Sequence, residues 1–125
     1  MQKLDSTTLA ALAKAHTPAP CKCALGACTG WESFTEDRWP KDRMRPLGSL
    51  RDPDIYEPTV EEFHPHGTRY ASPDAPLAVN FFPCNISDVY ACDRCQQVVL
   101  RYTEFGGYYV DHRLREIDPA RVLIA

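Results

Sequence analysis

Val98-Val99-Leu100-Arg101-Tyr102-Thr103-Glu104-Phe105-Gly106-Gly107-Tyr108-Tyr109-Val110-Asp111-His112-Arg113-Leu114 is the stretch on which the fold turns. Two runs rich in β-branched and aromatic residues flank a Gly-Gly pair, the pattern of an antiparallel hairpin. A three-residue loop over Phe105-Gly106-Gly107 gives a glycine the left-handed position and sets Glu104 opposite Tyr108. Tyr102 then opposes Val110, Leu100 opposes His112 and Val98 opposes Leu114, which makes one face mostly apolar. The other face places Arg101 opposite Asp111, a favourable cross-strand pair. Loops of two or four residues break this agreement.

Moving outward from the hairpin, residues 89–91 read as a strand that enters the turn Cys92-Asp93-Arg94-Cys95. Residues 59–63 and 68–71 read as strands around His64-Pro65-His66-Gly67, and 77–82 as another, bounded by Pro83. Downstream, Asp118-Pro119 is suited to open a helical turn before a short strand over 121–125. Residues 5–16 are expected to form a helix. Asp5 or Ser6 can cap it, Leu4, Leu9, Leu12 and Ala13 lie near one face, and Pro18 and Pro20 stop it. Residues 17–58 carry six prolines and few alternating runs, so they are expected to be mostly irregular. The expected fold class is α+β in one domain over 1–125. It has an N-terminal helix, a long Pro-rich loop and a mostly antiparallel β-sheet from 59 to 125.

A structureless loop of that length inside a small domain needs something to hold it. The six cysteines offer a means. Cys92-x-x-Cys95, in a tight turn between two strands, presents two thiolates on one side, like one half of a zinc ribbon. A structural zinc needs four ligands. Cys21-x-Cys23 is the natural second pair, with Cys28 as a substitute for either. The expected metal site is therefore Zn on Cys21, Cys23, Cys92 and Cys95. It would close a loop of about seventy residues, which strongly restricts the unfolded chain. A redox reading fits less well, because Cys92-x-x-Cys95 precedes a strand and does not open a helix. Cys84, beside Phe82-Pro83, reads as a buried thiol, although it is a further candidate ligand. The deaminase pattern P-C-x-x-C fails, since Ser87 stands where its second cysteine belongs.

Three histidines come into question as functional groups. In the expected register His112 faces Leu100, about 16 Å along the strand from Cys95, and so reads as a hydrogen-bonded core residue. His64 and His66 read as exposed turn residues, the alternative being a second metal site with Glu61 or Glu62. Arg38, Lys41, Arg43, Arg45 and Arg51 form one basic stretch, expected to pair with Glu36, Asp37, Asp42 and Asp52. No P-loop, dinucleotide fingerprint, G-x-S-x-G or H-E-x-x-H is present.

Fourteen Lys+Arg against 17 Asp+Glu leave a net charge of −3. That balance disfavours duplex nucleic acid as a partner. No apolar run approaches the length of a membrane helix. No apolar leader is evident either, so a cytoplasmic location with reduced thiols is expected. The function these features favour is a small zinc-binding, non-catalytic protein-binding module, of which an inhibitor or immunity-type protein is one concrete form. Trp31, Phe34, Trp39, Tyr56, Phe63 and Tyr70 are its candidate contact anchors. The alternatives are a small metal- or Cys/His-dependent enzyme and a zinc-ribbon-like nucleic-acid module.

Overall fold

The computed structural model describes residues 2–15, 30–94, 96–105 and 108–124. One helix packs on one face of a five-stranded antiparallel sheet, as the α+β reading expects. The elements are α1 (Ser6–Ala15), β1 (Glu32–Phe34), β2 (Met44–Ser49), β3 (Asp88–Cys92), β4 (Val98–Phe105) and β5 (Val110–Glu116), with strand order β1-β5-β4-β3-β2.

The helix begins where its cap predicts. The Asp5 carboxylate accepts the Thr8 N–H at 2.7 Å, and that bond holds its pKa below the usual value. Leu4 and Leu9 occupy the positions of a hydrophobic staple, and both enter the same core cluster. The chain ahead of the helix lies beside β2, with Leu4 N–H donating to Ser49 O and Ser49 N–H to Gln2 O. Gly48 permits that approach, because a Cβ there would lie 2.6 Å from the Leu4 side chain and 2.8 Å from Gln2 O. As an edge strand, β2 tolerates Pro46 and the register shift between Pro46 and Gly48.

The hairpin forms, but in another register. Phe105 pairs with Val110, Thr103 with His112, Tyr102 with Arg113 and Arg101 with Leu114. Each β4 residue meets a partner three positions beyond the expected one, and residues 106 and 107 lie outside the described residues. An odd shift turns one strand over relative to the other. The expectation assumed one apolar face, whereas the sheet is covered on both. Val89, Ala91, Val98, Leu100, Tyr102 and Ile117 face a large core with Leu4, Leu9 and Leu77. Val99, Cys92 and Leu114 face a smaller core with Phe34, Trp39 and Met44.

The strand assignments on either side of residue 58 also need correction. The expected irregular segment 17–58 contains both edge strands, β1 and β2. The expected strands at 59–63, 68–71 and 77–82 are coil and turns, apart from one isolated bridge between Leu77 and Val122. Prolines at 58, 65, 73, 76 and 83 interrupt this region. Its backbone is satisfied locally and by long-range single bonds, such as Phe82 N–H to Glu61 O. The C-terminal turn forms, with Asp118 accepting the Ala120 N–H at 3.0 Å, but residues 121–124 form no strand and Val122 makes an isolated bridge with Leu77.

Because β1 and β2 lie at opposite edges, residues 35–43 must cross the three strands between them, about 19 Å at the usual strand spacing. This strap contributes Trp39 to the smaller core. Among the described residues no helix is long and apolar enough to cross a membrane.

Candidate functional site

Of the expected zinc ligands, Cys92 ends β3 and is 1 % exposed, packed in the smaller core. Its N–H donates to Gln97 O and its carbonyl accepts the Gln96 N–H, with Gln96 in the left-handed region. A tight turn thus joins β3 to β4, as the cysteine spacing implies. The turn is tied to β2 by Asp93 N–H to Arg43 O, and by Asp93 to Arg45 at 3.3 Å. Cys21, Cys23, Cys28 and Cys95 lie outside the described residues.

Cys84 packs in the larger core, on the other face of the sheet from Cys92, and carries a free thiol. Burial pushes that thiol up to about 12, so it stays protonated at neutral pH. Cys84 lines a small cavity together with His64 and Arg115. Arg115 is 2 % exposed and donates to the carbonyls of Pro73 and Ala75. A nucleophilic thiol needs a lowered pKa and access, and Cys84 has neither.

His64 and Glu62 pair at 2.8 Å. Among the described residues no three His, Cys, Asp or Glu side chains gather as a metal site, so His66 does not join them.

His112 sits opposite Thr103, not Leu100, and joins the strap to the sheet. Its Nε2 lies 3.3 Å from Glu36, and its Nδ1 is 3.1 Å from Thr103 Oγ1 and 3.5 Å from Arg101 Nη2. Arg101 donates to Glu36 at 2.6 Å and lies over the rings of Trp39 and Phe34, 4.3 and 5.1 Å from their centroids. The strap acid Glu36 therefore pairs with the sheet, and Arg45 pairs with Asp93.

On the opposite face Tyr102 bonds Tyr70 through their hydroxyls, and Arg113 donates to Tyr70 at 3.1 Å and to Asp111 at 2.8 Å. Trp31 stacks on Tyr70 and meets Tyr102 edge-on. Burial raises the pKa of both phenols. Both clusters anchor coil to sheet.

The surface differs from expectation as well. Trp31, Phe34 and Trp39 are core residues and Tyr70 is half-buried. Tyr56 and Phe63 are exposed as read. The largest exposed aromatic group went unread: Phe105 (78 %), Tyr108 (105 %) and Tyr109 (58 %), with Val110 (55 %), at the end of the β4–β5 hairpin. The signal for it is Phe105 ahead of the Gly-Gly pair and Tyr108-Tyr109 after it. A second exposed group, Ile55, Tyr56 and Val60, lies in the coil after β2.

No protein-family model, no curated protein and no solved structure matches this chain.

Proposed function

We propose that this chain is a non-catalytic protein-binding module of the inhibitor or immunity type. A single observation carries the proposal: the β4–β5 hairpin ends in three exposed aromatic residues and a valine, outside both cores. Large aromatic side chains in that setting supply contact area at low entropic cost and dominate many protein interfaces. Behind the tip, residues 98–101 of β4 pair on both edges and the strand packs on both faces, while residues 102–105 pair with β5. A rigid strand pair presenting aromatic anchors loses little freedom on binding. The buried, protonated Cys84 thiol is not suited to act as a nucleophile.

The proposal includes a structural zinc on Cys21, Cys23, Cys92 and Cys95, with Cys28 as substitute, and a reducing cytoplasmic setting. Its support is the tight turn at Cys92 and the thiolate preference of zinc. The test is capture from an extract of source cells by the intact chain and by a Tyr108→Ser/Tyr109→Ser variant. A specific partner retained by the first and lost from the second is the expected result. The same partner on both overturns the assignment of the tip.

A further inference from the structure

Hydrogen bonds at the start of β4 fix which way its backbone points. Cys92 N–H donates to Gln97 O on the β3 side, and Ile117 N–H donates to Val98 O on the β5 side. Successive residues of a strand direct their N–H and C=O to opposite edges. Odd-numbered residues of β4 therefore turn these groups toward β3, and even-numbered ones toward β5. β3 begins at Asp88, opposite Arg101, so Thr103 and Phe105 have no strand partner on that edge. The chain ahead of Asp88 does not supply one, because Ile86 N–H donates to Pro83 O and Ser87 N–H to Cys84 O within a helical turn. Among the described residues Thr103 and Phe105 make no backbone hydrogen bond on that side.

A groove of about 640 Å³ lies beside this edge, bordered by Arg51, Ile86, Asp88 and Phe105 among others. The β2 edge, by contrast, is guarded against an added strand by Pro46, a register shift and the bridge from Lys3 to Ser49. The free end of β4 has no proline and no register shift. Its Thr103 and Phe105 are β-branched and aromatic, the residue types that favour pairing.

Charge sets the chemistry of what is added. Glu104 stands opposite Asp111 across the hairpin, and Arg113 lies 3.6 Å from Glu104 and 2.8 Å from Asp111. Two carboxylates share one guanidinium, so the position opposite Glu104 in an added strand meets net negative charge and favours a cation. A second copy of this chain does not fit. Antiparallel pairing that uses Thr103 and Phe105 of both copies is centred on Glu104 and sets two glutamates opposite each other, which is destabilising.

We infer that this edge receives an extended segment of a partner protein, paired antiparallel to β4 and in line with β3. The segment carries Lys or Arg opposite Glu104, and β-branched or aromatic residues opposite Thr103 and Phe105. Main-chain bonds supply the pairing, and the alternate side chains supply selectivity. The inference rests on the protein-binding reading and specifies how the partner docks beside the aromatic tip.

The test titrates the purified chain with a disulfide-cyclised hairpin peptide that presents Val-Lys-Val on its free edge, with both valine N–H groups pointing outward, followed by amide NMR. One control peptide has both valine nitrogens methylated, and another has Glu in place of Lys. The expected result is a saturable downfield shift of the Thr103 and Phe105 amide protons with the first peptide and none with the methylated one. The Glu peptide should bind at least threefold more weakly, and Glu104→Gln should abolish that preference. Absence of a saturable shift at these two amides, equal shifts with the methylated peptide, or an unchanged preference in Glu104→Gln overturns the inference. A dimer of the chain alone, with the same amides shifting as concentration rises, overturns the choice of occupant. These outcomes do not involve Tyr108 or Tyr109. A failed titration leaves the tip reading standing, and a failed capture experiment leaves the edge standing.

Discussion

Glu36, in the strap between β1 and β2, accepts a 2.6 Å hydrogen bond from Arg101 in β4. The two residues are 65 positions apart in sequence. Their contact shows how a crossover without regular structure is fixed over the sheet. The guanidinium lies over Trp39 and Phe34 as it reaches the carboxylate, so one side chain joins the polar and apolar parts of the strap.

The apolar part should dominate. Trp39 is almost fully buried, so Trp39→Ala should cost about 3–5 kcal/mol. Glu36 is 44 % exposed at its side chain, so Glu36→Gln should cost less than about 1 kcal/mol after solvent screening. Urea denaturation of the two variants gives the comparison. A larger loss for Glu36→Gln would mean that the ion pair, not the packing, holds the strap.

Three glycines should rank by what a methyl group meets. At Gly30 a Cβ would run into the Ala71 carbonyl, which is backbone, and at Gly48 into Leu4 and Gln2. Gly67 has φ +74 with nothing within 4 Å. Gly30→Ala and Gly48→Ala should each cost about 1–3 kcal/mol, as overpacking does. Gly67→Ala should cost about 1 kcal/mol, from backbone strain alone. Thermal unfolding of the three variants checks the order.

Stability should fall in alkaline solution. The Cys84 thiol is raised from 9.0 to about 12 by burial, and Tyr70 and Tyr102 are raised as well. The folded state therefore keeps protons that the unfolded state gives up. This contribution is complete below pH 9 and is lost as pH rises toward 12. Unfolding midpoints measured between pH 8 and 11 should decline, and less steeply in Cys84→Ala. The native thiol should also resist iodoacetamide at pH 8.

Zinc should be counted directly. Native mass spectrometry of reduced chain, purified without added metal, should show one zinc per chain, and Cys92→Ser should lose both the metal and the fold. A Cys92→Ser chain that stays folded and keeps its metal removes Cys92 from the site.

The helix, its Asp5 cap and the strands around Cys92 and Leu100 were legible in the sequence, because cap chemistry and apolar runs are local signals. The register of β4 and β5 was not. Arg113 and Arg115 lie on the larger-core face, and His112 lies on the strap face beside Leu114. Alternation alone could not identify the inward face of a sheet covered on both sides. β1 and β2 were missed because edge strands with Pro46 and charged residues resemble loops. The coil around 59–82 was misread because its β-branched and aromatic residues pack without pairing. The cysteine spacing correctly signalled the turn at Cys92. The aromatic tip was hidden by the same three-position displacement of the register.

The most direct test of the protein-binding account places a photo-crosslinking amino acid at Tyr108 in source cells, with Thr7, exposed on α1, as the control position. The account predicts one discrete protein adduct from position 108 and none from position 7. No adduct at 108 above the control would contradict it.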